Sequence, residues 1–539
     1  MTNWMRSFQR FEKGCCCSDD PSNNFYNKYL YSSSTNIEGF IAQLSPDNRL
    51  RVDNSRGVAR QPRRCILAFK LNKLPTMPLI EPYTSLQKSV LVMVLLNALS
   101  VPIMLSSVNV ALPYIAADLE LSALSVSWIP TAFLMASAMF ILVFGRLADM
   151  FGRKKIFLIG AVFVVFASCL AAAATGAISL LGARFLQGLG AAMLYATQMA
   201  IVSSVFPVAT RGRVIGLVIA FIYIGLASGP LLGGIIVDQL GWRVNFLVQI
   251  PLAVLVFCIG VYKVEGDWAA DERGAFDFTG ALIYCSAIFI ICIGVSFLPG
   301  PRGYVLIAAG LIGVGVFFQQ ARSSKHPLMD VQLFFSNKTF TYSCLASLIM
   351  YSATFMNVVL LSLYLQYLKG LSPTAAGLLM MVQPLTMAIF SPLMGRLSDH
   401  TEPRILASAG MSITAMGLML LAMLSSGSET ISIVVALVVT GLGFSLFSSP
   451  NVNAIMSSVS RKHLGAAAAA VSTTRILGQL SSMVLVTLVM ALNFGTAQIE
   501  PSSYIELEKT ISFSFYLAAA ICLPGLVLSA VRGTIHKPE

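Results

Sequence analysis

From Lys88 to Arg532 the chain strings together fourteen apolar runs with only short polar breaks between them. They lie at 89–112, 124–145, 156–175, 178–205, 213–237, 245–262, 278–298, 303–320, 340–366, 375–395, 404–425, 430–450, 464–492 and 512–531. A helix needs roughly 20 mostly apolar residues to cross a bilayer. In hydrocarbon every backbone N–H and C=O must be satisfied within the structure, which a helix does by itself. Strands of a membrane barrel would alternate with period two, and these runs are continuous. The expected fold class is therefore all-α and integral to a membrane, with 14 transmembrane helices. Composition agrees: 56% of residues are hydrophobic and 11% are charged. That is more apolar surface than a soluble chain can bury.

The remaining charges are placed asymmetrically. The net charge of +12 splits evenly: residues 1–88 hold thirteen Lys/Arg and seven Asp/Glu, and the rest hold 23 and 17. With the first helix running outward, the cytoplasmic loops and C-terminal tail carry seventeen basic residues. The outer loops carry four: Arg243, Arg302, Lys369 and Lys509. Basic residues concentrate on the cytoplasmic side, so both termini are expected in the cytoplasm, with the chain in a cell membrane. Nucleic acid is not the expected partner, because the basicity follows the loops. The lipid bilayer is, and a monomer is expected within it.

Three polar breaks divide the chain. Residues 1–87 read as a disordered cytoplasmic tail, without the apolar core of a signal peptide. Met77, just ahead of the first run, is an alternative start, and "GCCC" at 14–17 is a tail feature open to acylation. The break at 263–280 separates six helices from the next eight. The break at 319–340 reads in part as a surface helix, with Leu328, Val331, Phe334 and Phe335 apolar. The organisation is thus a six-helix bundle over 88–262, a linker with two extra helices over 263–339, a second six-helix bundle over 340–532 and a short tail over 533–539. In each bundle the second run leads into a copy of one polar turn: "GRLADMFGRKK" at 145–155 and "GRLSDHTEPR" at 395–404. A motif repeated at corresponding places marks a duplicated bundle.

In the first copy Arg146, Asp149, Arg153 and Lys154 crowd between two apolar runs. Gly145 and Gly152 are expected to permit a tight turn and close helix approach. Surface ion pairs form and break at modest free-energy cost, which suits a latch at one face; anchoring at lipid headgroups is the plainer role. The second copy keeps Gly395, Arg396 and Asp399 without the basic run, so it reads as the weaker latch. Inside the spans, Arg184 and Gln187 lie one turn apart, and Gln198 returns to nearly the same face. Arg475 is a second cation within a span. A charged side chain at the bilayer centre costs at least about 2.5–3.5 kcal/mol, so each Arg should face a watery cavity or a partner. Asn109, Gln366 and Gln383 join them as cavity candidates, with Tyr195, Tyr223, Phe355 and many Met as apolar wall. Gly225, Gly229 and Gly233 recur every four residues, a stripe suited to close helix contact. Pro230 removes one backbone hydrogen bond there, and Gly234 completes the pattern G-x-x-x-G-P-x-x-G-G.

These motifs carry a resemblance. "GRLADMFGRKK" resembles the loop 2–3 signature of the major facilitator superfamily, and "ARFLQGLGAAM" (183–193) its fourth-helix motif. "GLASGPLLGGIIVDQLGWRVNFLVQIP" (225–251) resembles the antiporter motif and the W-R-x-x-F after it. "SVNVALPYI" (107–115), "FDFTGALI" (276–283) and "LQYLKGLSPTAAGL" (365–378) are similar to the fourteen-helix drug–proton antiporter branch. The resemblance covers about 88–532. It implies a fold of two six-helix bundles plus two extra central helices. It also implies alternating access, a small-molecule substrate, protons as a coupling partner, and no cofactor or metal.

The sequence departs from the branch at one position. Where the first helix usually carries an Asp, five residues before the Asn of "VNVALP", this chain has Met104. No Asp, Glu or His lies near the middle of any run. That leaves proton coupling open, and two Arg in spans without an acid favour neutral, zwitterionic or anionic substrates over cationic drugs. The leading reading is a secondary transporter exporting small amphipathic compounds. A proton-independent or uptake transporter is the alternative within transport. A non-transporting sensor or scaffold is the alternative outside it. An enzyme is not expected, since zinc and Gly-x-Ser-x-Gly signatures and an intramembrane His or carboxylate pair are absent, and without a P-loop signature direct ATP drive is not expected either.

Overall fold

The computed structural model describes residues 83–269, 275–398, 400–460, 463–495 and 497–533. The tail with Met77 and the Cys run, Asp399 of the second turn, and residues 534–539 lie outside the described residues. Among those described, fourteen helices are long and apolar enough to cross a membrane. They are α1 (Ser85–Asp118), α2 (Ala123–Phe151), α3 (Arg153–Ala172), α4 (Ala177–Val205), α5 (Thr210–Leu240), α6 (Trp242–Tyr262), α7 (Phe278–Ser296) and α8 (Pro301–Ser323). The second set is α9 (Lys338–Leu368), α10 (Pro373–Leu397), α11 (Pro403–Ala422), α12 (Thr430–Ser457), α13 (Leu464–Asn493) and α14 (Pro501–Val531). A short helix, Val331–Ser336, precedes α9 where the surface helix was expected.

Local chemistry sets several of the helix starts. Thr84 and Gln87 form a capping box at α1, satisfying two of the backbone donors that a helix start leaves free. Ser122 caps α2, Asp277 caps α7, and Ser372 caps α10 just before Pro373. Each cap accepts a hydrogen bond from the first turn. The largest difference from the sequence expectation is at α14, which begins at Pro501 rather than near 512. Lys509 was expected in an outer loop, but with Glu506 and Glu508 it rides on the first turns of a continuous helix that projects beyond its apolar stretch.

The two six-helix sets pack alike. In the first, α1 packs on α5 and α6, α4 on α2 and α3, and α3 on α6. In the second, α9 packs on α13 and α14, α12 on α10 and α11, and α11 on α14. These are the same five pairings shifted by eight helices, as duplication requires. The halves meet along two seams, α5 with α10 and α2 with α13. Helix α7 packs on α2 and α13, and α8 packs mainly on α7. The two extra helices therefore sit outside one seam. Large apolar side chains stay exposed on the outer surface, among them Phe166, Leu311, Ile312, Met416 and Val527. That is the arrangement expected of a lipid-facing surface.

Successive spans alternate direction, so α1 starts and α14 ends at the same side. That side is called the near face and the opposite one the far face.

Candidate functional site

A cavity of about 400 Å³ lies between the halves. Its walls come from the near-face segments of α4, α5, α12 and α13. Gly212 and Gly216 at the start of α5, Met456 at the end of α12 and Ala468 at the start of α13 line it, so it reaches the near face. Tyr195, Gln198, Tyr223, Tyr351, Phe444, Arg475 and Gln479 line its depth. A smaller annex of about 80 Å³ continues toward the far side. It shares Leu226, Tyr351, Met387, Phe444 and Gln479 with the main chamber and adds Asn357, Gln383 and Phe355. At that depth α9 is irregular: its α-helix stops at Thr354, resumes at Met356 and ends in a π-helical turn over Tyr364–Leu368. Ser482 Oγ on α13 accepts a 2.7 Å hydrogen bond from the Met356 amide at the break. Irregular backbone inside a membrane persists where protein groups satisfy it beside a cavity.

The far side is sealed. Ser362 Oγ donates to the Asn109 carbonyl (2.6 Å) and Gln366 Nε2 to the Val110 carbonyl (3.0 Å), joining α9 to α1. Thr374 Oγ1 donates to Asp238 (2.7 Å) across the α5–α10 seam, and the Thr131 and Thr487 hydroxyls lie 3.3 Å apart between α2 and α13. The loops join as well: the Ala123 amide donates to the Ala497 carbonyl, and Gln498 Nε2 to that of Glu120. On the near side the hydrogen bond and the ring contact between described residues of the two halves lie inside the cavity: Tyr223 with Ser448 (2.9 Å), and Arg475 over the Tyr195 ring at 5.3 Å. The protein is thus open at the near face and closed at the far face.

The antiporter motif adds close backbone packing to the far-side closure. A Cβ at Gly225 would come within 2.5 Å of the Leu99 carbonyl of α1, and one at Gly233 within 2.6 Å of that of Ser107. At Gly229 it would run into Ser106. Gly234 faces the other way, against Pro373 of α10, and Gly377 of α10 packs on the Pro230 carbonyl. One face of α5 is bound to its own half and another to the opposite half. Backbones this close leave no path for solutes.

The sequence candidates separate by place. Gln198, Gln383 and Arg475 line the cavity. Asn109 and Gln366 stand in the far-side seam. Arg184 and Gln187 do neither. Arg184 is fully buried between α2 and α4, donating to Gln187 Oε1 (2.7 Å) and the Ile129 carbonyl (3.3 Å), with its guanidinium 4.7 Å from the Phe133 ring centroid. Gln187 passes the chain on to Ser168. Gln198 pairs instead with Asn97 of α1. Position along α4 explains the split: Arg184 is seven residues from the far end, where the halves are closed.

At the near face the signature turn is tighter than its sequence suggests. Helix α2 runs on to Phe151, so Gly145 lies inside a helix, and a Cβ there would meet only Ala196 at 4.0 Å. The expectation that Gly145 permits a close approach is corrected: the turn rests on Gly152 alone, at φ 113°. Gly395 is likewise helical, with Ser449 3.9 Å from where its Cβ would be. Asp149 accepts from Arg153 at 2.8 and 3.0 Å, and Arg153 also reaches Ser204 Oγ and the Ala200 carbonyl of α4. Arg146, Asp149 and Arg153 border a vestibule of about 410 Å³ whose other wall includes Leu328, Asp330 and the start of α13. In the other half, Arg532, one residue beyond α14, is buried and donates to Asn451 and Ser343. Burial pulls its guanidinium down to about 10, and Glu402 opposes that shift.

Asp267, in the linker, was not anticipated. Its carboxylate accepts from the Lys154 and Lys155 amides (2.8 and 3.3 Å), capping α3, and fills the space a Cβ at Gly152 would need. Lys154 Nζ reaches back to the Val264 carbonyl. The signal was present as an Asp in a turn-rich segment, but nothing in the sequence states which helix start it caps.

Two duplicated six-helix bundles around a central cavity, sealed at one face, define a membrane transporter with multiple spans. The chain belongs to the Major Facilitator Superfamily, whose family model matches residues 94–318 and 343–539, and it is a secondary transporter. It is similar to the riboflavin transporter RibZ of Clostridioides difficile, 29% identical over 79% of this chain and 92% of that one. It is 30% identical to the multidrug resistance protein Stp of Mycobacterium tuberculosis over 75% of each chain. It is also 30% identical to the cephamycin export protein CmcT of Amycolatopsis lactamdurans, over 80% of this chain and 91% of that one. Among solved structures, a POT family transporter in complex with a thioalcohol-conjugated peptide matches with a TM-score of 0.62 at 15% identity. That match covers 82% of this chain and 95% of the other, a likeness of fold alone.

Proposed function

We propose that the protein exports small amphipathic compounds across a cell membrane by alternating access, with the near face in the cytoplasm and both termini there. The observation that carries this reading is the cavity itself: an apolar, aromatic and Met-rich chamber between two halves, open at one face and sealed at the other. Its adaptable walls suit varied ligands. Relatives named for multidrug resistance and cephamycin export support the direction. The basic asymmetry of the loops supports the orientation.

The charged turn acts as the latch of the opposite, far-open state. With the near face open, Asp149 and Arg153 are paired within their own half, across a vestibule from the start of α13. Closing that vestibule would bring the cluster against the second half.

A second reading, passage not driven by protons, is favoured by Met104, which stands buried where a proton-binding Asp is usual in the branch. Arg cannot serve instead, since it keeps its proton at physiological pH. Substrate flux in proteoliposomes with and without an imposed pH gradient tests both readings. Export without pH dependence supports the first together with the second. Steep proton exchange removes the second. No flux of any amphipathic compound removes the first.

A further inference from the structure

Building on the export reading, we infer that the transported molecule is an amphipathic anion, and that Arg475 on α13 selects it. Arg475 is the only charged side chain among the residues lining the chamber and its annex. Its guanidinium carries five N–H donors and a permanent charge. Among the described residues it forms no hydrogen bond and no ion pair; its guanidinium lies 5.3 Å from the centroid of the Tyr195 ring of the opposite half. Arg184, deep within α4, has Gln187 and the Ile129 carbonyl as acceptors. Arg475 has its donors free, toward a cavity.

A cation withdrawn from bulk water without a counter-ion loses hydration it does not recover. A ligand carboxylate, sulfonate or phosphate monoester restores it, because those groups match the guanidinium fork with two parallel hydrogen bonds. A cationic ligand would meet like charge in the same chamber with no acid to offset it. The rest of the lining describes the rest of the ligand. Tyr223, Tyr351, Phe444 and Met387 form an apolar, aromatic wall leading into the annex, which Asn357 and Gln383 line with neutral amides. An aromatic or apolar body therefore lies in the annex direction, with the anionic group at Arg475. Because Tyr195 and Arg475 belong to different halves, a ligand there touches both, as a substrate that biases their alternation must.

The test uses the full chain purified in detergent, with radiolabelled 2-naphthoate as the probe. Unlabelled 2-naphthoate, neutral 2-naphthamide and cationic 2-naphthylmethylammonium serve as competitors of one shape. The wild type should bind naphthoate about tenfold tighter or more than the other two. Arg475→Gln should bring the three within about twofold by weakening naphthoate alone. Arg475→Lys keeps the charge without the fork and should keep part of the preference, which also guards against a folding defect at this site. Met387→Ala, in the same wall, should weaken all three alike. Failure of the wild type to prefer naphthoate, or a preference that survives Arg475→Gln, would overturn the inference. A naphthoate preference without vesicle flux would sink the export reading while leaving the anion site standing.

Discussion

The far-side seam and the near-side cavity share helices such as α5 and α13, yet one is packed and hydrogen-bonded while the other is open. Along α5 the change happens within a few turns. Gly229, Gly233 and Gly234 lie against backbone or side chains of α1 and α10, whereas Gly212 and Gly216 line the cavity, with nothing within 4 Å of where a Cβ would sit. Helix α13 shows the same gradient, from Ala468 on the cavity wall to Thr487 in the seam. Closure is thus a matter of which turns of a helix touch, set by small residues on one segment and their neighbours' backbone. A rigid-body rocking of two halves can exchange such contacts without refolding any helix.

The strongest way to break this contrast is to wedge the seam. Gly234→Leu or Gly377→Leu puts a side chain where the facing backbone already stands, an overpacking that costs about 1–3 kcal/mol. Since the closed seam bears that penalty and the open one does not, the far-open state should gain. Flux should fall by about tenfold or more, with the protein still inserted; wild-type flux in either variant would show that the seam is not a working part.

Removing hydrogen bonds from the seam should act in the same direction but less. Ser362→Ala and Gln366→Ala each remove about 1 kcal/mol of closure. Labelling of a Thr374→Cys reporter from the far side, with its own bond to Asp238 already removed, should rise about fivefold further for each. Unchanged labelling would mean that packing alone holds the far side shut.

Much of this was legible in the sequence. Fourteen runs gave fourteen spans, and the repeated turn and the two central runs gave the duplicated bundle with its inserted pair. The stripe of Gly225, Gly229 and Gly233 pointed to a close contact, because residues four apart share one face of a helix and the wider G-x-x-x-G-P-x-x-G-G pattern strengthened that reading. The cavity was half legible. Gln198, Gln383 and Arg475 line it, but Arg184 and Gln187 looked no different in sequence. Polarity within a span says that a residue avoids lipid; it does not say whether water, a seam or a neighbouring helix receives it. Gly145 misled for a related reason, since a glycine near a charged turn reads as part of the turn even where the helix continues through it. Asp267 depended on a contact between segments 113 residues apart, which no local pattern encodes.

Two weaker changes sharpen the comparison at the near face. Asp267→Ala removes the cap of α3, worth about 1 kcal/mol, and should lower the thermal unfolding midpoint by about 2 °C or less. A larger fall would mean that the linker holds more of the near face than this cap. Asp149→Asn removes a half-buried pair worth about 0.3–0.5 kcal/mol. It should reduce turnover by about twofold while leaving the amount of inserted protein unchanged. Wild-type turnover would leave the cluster only its anchoring role.

The central claim is that one cavity serves two faces and is seen here with the near face open. Ser472 lies on its wall, and cysteine is close to serine in size. In a background without other reactive cysteines, Ser472→Cys should be labelled by a membrane-impermeant maleimide applied from the near face and not from the far face. Adding Gly234→Leu should reverse that preference. Labelling of Ser472→Cys from the far face in the otherwise unaltered seam, or no change of side when the seam is wedged, would contradict the account.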